Sequence, residues 1–183
     1  MLVSTCLVGC VGADVVPKPE SPGRVTYVQV DRTAVIHIAP QLWAVMGARL
    51  SEHPTMTEAR RGPDGMVYLT GDLPWLATWE RLQQQYPDRT YACGWPDGLT
   101  QTPDNALIIE RRIAVVLKSE VDPAVVLTRL GLVVVDRVGD HGYLLDSGPD
   151  PLSALAGSIR LATDPAVAGC NPVIRVPRFP KAK

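Results

Sequence analysis

The chain has 183 residues, enough for one or two small cores. An apolar content of 46%, a charged content of 20% and a formal net charge of -1 make an ordinary globular composition, and they exclude the basic excess of a nucleic-acid surface. No run of about 18 or more apolar residues occurs, which excludes a membrane-spanning helix, and no collagenous, glutamine-rich or heptad segment is present.

The amino terminus reads in two ways. Leu7-Val8-Gly9-Cys10 fits a bacterial lipobox, with Cys10 as the lipidated residue. Residues 1–24 would then be a lipoprotein signal and a tether extended by Pro17, Pro19 and Pro22. No Lys or Arg precedes Cys10, so the positively charged start of an export signal is missing, and an upstream start would be needed to supply it. The other reading is a plain apolar terminus with two incidental cysteines. The first makes the protein exported, facing the cell exterior or periplasm and meeting the membrane only through the lipid on Cys10; the second leaves it cytoplasmic.

Residues 35–39 (VIHIA) and 66–72 (MVYLTGD) read as strands, separated by the GPDG turn at Gly62 to Gly65. Residues 73–86 read as a helix, because Trp75, Trp79, Leu82 and Tyr86 recur on one helical face. A turn-rich linker of residues 97–108 follows. Residues 112–117 (RIAVVL) form a β-branched strand, and Asp122-Pro123 then opens a helix that carries Val126, Leu127 and Leu130 inward and ends at Gly131. Residues 132–138, the GDHG turn and residues 143–146 spell a strand, turn and strand. Asp150-Pro151 opens a second helix with Leu152, Leu155 and Ile159 on one face, and Asp164-Pro165 leads into a last strand, AVAGCNPV. The order is βαββαβ, the ferredoxin-like unit of four antiparallel strands with two helices on one face.

The first half repeats this pattern weakly. A shift of 77 positions without a gap lays Ile36 on Ile113, Leu50 on Leu127, Arg60 on Arg137 and Gly65 on Gly142. It also lays Gly71 on Gly148, Pro74 on Pro151 and Cys93 on Cys170. The fold class expected is therefore α+β, two tandem ferredoxin-like units with antiparallel sheets and helices on one face. The units would cover residues 25–96 and 109–177, followed by a tail of residues 178–183. The alternative is a first domain of unrelated α/β topology.

The second unit resembles the N-terminal prodomain of bacterial subtilisin-type serine proteases, the fervidolysin-like subgroup in particular. The residues that carry the likeness are Gly131-Leu132-Val133-Val134, Tyr143-Leu144-Leu145, the run from Asp150-Pro151-Leu152 to Ala156, and Asp164-Pro165 through Asn171-Pro172. They span roughly the last 75 residues. Cys170 stands where the family has a glutamate, so no contact of that carboxylate carries over. The resemblance implies a chaperone and tight inhibitor whose sheet packs on the protease and whose C-terminal segment lies in the substrate cleft. On this chain it points to the strands of Tyr143 and Cys170, and to Val173, Ile174, Arg175, Val176 and Phe179, as contacts with a subtilisin-like protease supplied in trans. The competing function is a non-catalytic surface lipoprotein serving as a binding or structural platform.

Four cysteines remain to be apportioned. If Cys10 carries lipid and Cys6 leaves with the signal, Cys93 and Cys170 stay in the mature fold. In an exported protein they are a disulfide candidate, whose loop closure would favour folding by about 4 kcal/mol. The other reading is two buried thiols too far apart to bond.

Chemistry is otherwise sparse. His37 alternates with Ile36 and Ile38 toward solvent, His53 lies in a loop before Pro54, and His141 lies in a turn. No ligand spacing suggests a metal site, and no cofactor is implied. Ser147 and Ser153 lack a nucleophile-elbow context. Asp136, Asp140 and Asp146 read as solvated, as do the doublets Arg60-Arg61 and Arg111-Arg112. No enzymatic activity is expected.

Overall fold

The computed structural model describes residues 23–29, 32–62 and 64–177. The first half contains β1 (Arg24–Gln29), β2 (Arg32–Met46), β3 (Met56–Arg61), β4 (Met66–Gly71), α1 (Trp75–Gln85) and β5 (Thr90–Pro96). The second contains β6 (Leu107–Leu117), α2 (Pro123–Leu130), β7 (Val133–Val138), β8 (Gly142–Asp146), α3 (Ser153–Ala162) and β9 (Val167–Arg175). All nine described strands join one antiparallel sheet along the path β3-β4-β2-β5-β6-β8-β7, with β1 on β2 and β9 on β6. Each expected strand and helix has a counterpart among these elements, though the ends differ. The lipobox cysteine Cys10 and the tail residue Phe179 lie outside the described residues.

Local signals explain the second half well. The Asp122 carboxylate accepts the Ala124 N–H at 2.9 Å, Pro123 fills the first helical position, and Gly131 closes α2 at φ 64°. The Asp150 carboxylate takes the Leu152 N–H at 2.8 Å, and α3 starts just beyond, at Ser153. One expectation fails here. Ile159 is 43% exposed, because the face that α3 buries is Ala154, Leu155, Ser158 and Leu161. Ser158 is tolerated inside because its hydroxyl donates to the Leu155 carbonyl and accepts the Val28 N–H.

The first half departs from the expected order. Between β2 and β3 there is only a 3-10 turn, Leu50–Glu52, where the second half has α2. The constant shift of 77 also fails in register. Trp43 pairs with Leu69 on β4 and with Ala92 on β5, whereas Ile113 pairs with Leu145 on β8 and with Pro172 on β9. Three different offsets are needed to relate those partners. Because side chains alternate across a strand, one odd slip reverses which face a residue serves. Cys93 therefore faces away from the helices, packed with Tyr68 and Ile108, while Cys170 faces toward them, with Val115 and Tyr143.

The helix-side face holds the main core. Trp75 and Trp79 of α1 stack on Trp43 of β2, with ring centroids 5.1 and 5.6 Å apart, and Leu82 completes the cluster. Leu152 and Leu155, beside and within α3, join the same cluster as Tyr27 of β1, so the two halves share one core. Gly157 lets α3 settle on the sheet, since a Cβ there would come within 2.6 Å of Ile113 Cδ1.

The expected linker of residues 97–108 is not a spacer. Leu107 and Ile108 already belong to β6, and the segment before them crosses the sheet face opposite the helices. It leaves β5, reaches β3 through the Asp104–Arg60 ion pair, and returns to β6 beside β5. This strap is also fastened where Trp95 Nε1 donates to the Thr102 carbonyl at 2.8 Å. Beneath it Met66, Tyr68 and Cys93 are buried, and the strap's own Ala106 is buried against them.

Gly94 sits where β5 meets β2 most tightly. A Cβ there would lie 2.8 Å from Ile36 Cγ1 and 2.9 Å from the His37 carbonyl oxygen, and the latter belongs to a paired backbone that cannot step aside. Gly94→Ala is expected to cost about 1–3 kcal/mol in urea denaturation. Gly157→Ala meets only the mobile end of Ile113 and should cost less.

Candidate docking surface

The face opposite the helices differs between the two halves. In the first it is strapped over; in the second no described residue covers it. Along β6 the side chains of Ile113, Val115 and Leu117 go to the core, which leaves Arg112, Ala114 and Val116 on the other face. Leu144 and Gly142 of β8 pair beside Ala114 and Val116, and Asn171 and Gly169 of β9 flank them on the other side. Val116 is 50% exposed and Val138, at the end of β7, is 67% exposed. Small residues at Ala114, Gly142 and Gly169 keep this face flat, with Val116 standing between the two glycines and Val138 on the end strand.

β7 is an end strand, and all six of its residues are exposed. Its edge is nevertheless blunted. A bulge interrupts its pairing with β8 between Val134 and Asp136, and the Asp136 carboxylate accepts the Arg137 N–H at 2.8 Å. The Arg137 guanidinium is folded back onto the Gly139 and Asp140 carbonyls. The surface on offer is the face of these strands rather than their edge.

A charged knot separates the bare face from the strapped one. Glu110 of β6 is buried, and its carboxylate is held by Arg112, with Nε at 2.6 Å, and by Arg175 of β9, with Nε at 2.5 Å. The Arg175 guanidinium lies 5.0 Å from the Tyr91 ring centre. Next to the knot, where β5 and β8 diverge along the same side of β6, is a cleft of about 270 Å³ lined by Asp88, Tyr91, Arg111, Arg112, Val135 and Asp146. Arg111 pairs there with Asp88, a non-glycine residue in the left-handed region at φ 59°. Arg111 and Arg112 are thus structural partners rather than a solvated doublet, and Arg60 likewise holds the strap.

The sequence-derived contact residues fall into two groups. Tyr143 and Cys170 are core side chains, so neither presents its side chain to a partner. The Tyr143 ring lies 5.9 Å beneath the Arg137 guanidinium, and the Cys170 thiol donates to the Ser158 carbonyl at 3.2 Å. Val173, Ile174 and Arg175 are no free tail either. They end β9, where Ile174 pairs with Ile109 and Arg175 with Ile108. Of the described residues only Val176, 72% exposed, and Pro177 extend past that strand.

Cys93 and Cys170 are free thiols, which corrects the disulfide expectation. Cys93 pairs with Ile108 and Cys170 with Val115, seven residues further along β6, on opposite faces. At about 3.3 Å per residue that separation is roughly 20 Å, far beyond the Cα spacing of about 7 Å that a disulfide permits. Burial pushes both thiols above the usual range, so neither is reactive.

Among the described residues, no group of three His, Cys, Asp or Glu could hold a metal ion, and no helix is long and apolar enough to cross a membrane. His37 is half-buried and bonds to Asp97 at 2.7 Å. The Ser147 hydroxyl bonds to Ser153 and to the Arg111 carbonyl, with no base beside it. Glu110 was missed in the sequence; the signal that could have found it is an acid at the end of the apolar run LIIE, followed by two arginines. No protein-family model, curated protein or solved structure matches the chain.

Two measurements test this site. Glu110→Ala removes the shared partner of Arg112 and Arg175, whose side chains are 41% and 38% exposed. Both stay solvated, so the change is expected to cost about 1–2 kcal/mol in denaturant unfolding. With Cys6 and Cys10 replaced by Ser, thiol titration without reductant should find two groups after denaturation and none before it.

Proposed function

We propose that this chain is a prodomain-like protein that binds a subtilisin-like serine protease in trans and inhibits it or assists its folding. The observation that carries this reading is the bare face of β6, β8 and β7, in a half whose residues resemble such a prodomain. An uncovered apolar sheet face is what a packed partner would bury. The same reading makes the two halves tandem ferredoxin-like units. Supporting it, the strand orders β3-β4-β2-β5 and β7-β8-β6-β9 agree, and each half places a helix before its last strand. The first half would be the degenerate copy, its first helix reduced to a turn and its outer face closed by the strap.

The extended inhibitory segment has to begin later than the family likeness alone suggests. Removing residues from Val173 onward would take away part of β9, including the Arg175 partner of Glu110, and would confuse folding with binding. The informative truncation removes residues 178–183.

Val116→Asp combined with Val138→Asp is expected to weaken inhibition of a susceptible subtilisin-like protease at least about tenfold. Both sites are exposed, so unfolding should shift by no more than about 0.5 kcal/mol. The 178–183 truncation should also reduce inhibition while leaving the unfolding midpoint in place. If the intact protein leaves every enzyme in a subtilisin-like panel fully active and captures none of them, the protease reading is lost and the platform reading replaces it.

A further inference from the structure

The turn that replaces a first helix in the first half is held by a short polar chain. His53 follows the 3-10 turn Leu50–Glu52 and is fully buried, although its sequence context suggested an ordinary loop. Its ring lies 5.5 Å from that of Tyr86, the residue that caps α1, and its Nε2 is 3.2 Å from the Tyr86 hydroxyl. The Tyr86 hydroxyl in turn donates to the Glu52 carboxylate. A phenol has one proton to give. Since Glu52 receives it, the imidazole must donate from Nε2, and this fixes the neutral tautomer with its proton there. The remaining nitrogen, Nδ1, is buried without a partner.

The charged groups around the ring come from two elements. Glu52, with Arg49 just before the turn, belongs to the β2–β3 connection, and Arg81 lies on α1. Arg81 also bonds to Thr55 at 3.1 Å and Gln85 to Glu52 at 3.4 Å, so the whole connection is fastened to the last turns of α1. We infer that His53 is a proton-operated latch: neutral, it holds the β2–β3 connection against α1, and protonated it lets that connection go. A proton on Nδ1 would have no acceptor, would place a cation in a site closed to water, and would face the Arg81 guanidinium. Glu52 favours the charged ring, but it acts through Tyr86 and is the weakest of these influences; burial comes first and Arg81 second.

The sign of the effect follows. Burial and Arg81 hold the folded-state pKa below the ordinary histidine value of about 6.5. Between those two values the unfolded chain binds the proton and the folded chain does not. Stability is therefore full above about pH 6.5 and falls as the pH drops toward the folded-state pKa.

The test uses the full chain at pH 7.5 and pH 5.0. Amide exchange across residues 50–56 should accelerate at the lower pH, after correction for intrinsic rates, by about tenfold more than exchange in the middle of β4. Imidazole NMR should show His53 titrating below the ordinary histidine value of about 6.5. His53→Gln, neutral at both pH values, should remove the pH-dependent opening. The inference is overturned if His53 titrates at or above that ordinary value, if residues 50–56 exchange no faster at pH 5.0, or if His53→Gln opens as the parent does. Should that variant fail to fold, the first two readings on the parent protein decide.

Discussion

The structure depends on the hydrogen-bonding reach of one strand. β6 pairs with β5 through Leu107–Ile109, with β8 through Arg112 to Val116, and with β9 along nearly its whole length. Its pairing with β5 is the one strand pairing that joins the two halves among the described residues. Its side chains repeat that position. Ile109 serves the core under α1, Ile113 and Val115 serve the core under α3, and Ile108 faces the strap. The change from one set of neighbours to the other falls at Glu110 to Arg112, where pairing shifts register and one flank is open. A backbone that changes partners leaves polar groups to satisfy and space to fill. The Glu110 knot, the Ser147 bond to the Arg111 carbonyl and the Asp88–Arg111 pair all lie there. The charged cleft is thus a consequence of one strand serving two sheets' worth of partners.

The same arrangement gives the two outer faces different fates. A strap that leaves β5 and re-enters as β6 passes over the first half and is spent there. The second half has no such segment among the described residues, so its flat face stays open. Its end strand carries the usual defences against strand addition: a bulge, a carboxylate on a backbone N–H, and an arginine folded onto carbonyls. Those defences guard the edge and leave the face alone.

Where chain signals are local, the sequence was readable. Asp122-Pro123 with Gly131, and Asp150-Pro151 before α3, act within a few residues, and the structure uses each close to where its residues stand. The tryptophan face of α1 was equally clear because one period decides it. Distant partners were not readable. The ungapped shift matched turns and helix starts, yet strand registers slipped between the halves, and one slip was enough to turn Cys93 and Cys170 to opposite faces. The strap hid behind turn-forming residues, because its role rests on Asp104 meeting Arg60, which no local pattern announces. Burial of His53 was hidden likewise: a loop before a proline reads as exposed, and only packing against α1 makes it otherwise.

The Val28 N–H bonds to the hydroxyl of Ser158, 130 residues later in the chain, and Tyr27 shares a core with Leu152 and Leu155. On the ribosome the chain emerges at about 5–20 residues per second. The opening hairpin therefore spends roughly ten seconds without the helix that covers it. Over that interval its apolar side chains are a target for chaperones and for neighbouring nascent chains. The first half cannot finish early and wait; it matures only once α3 of the second has emerged. A pair of halves that look separable in sequence is, in the order of its making, a single late event.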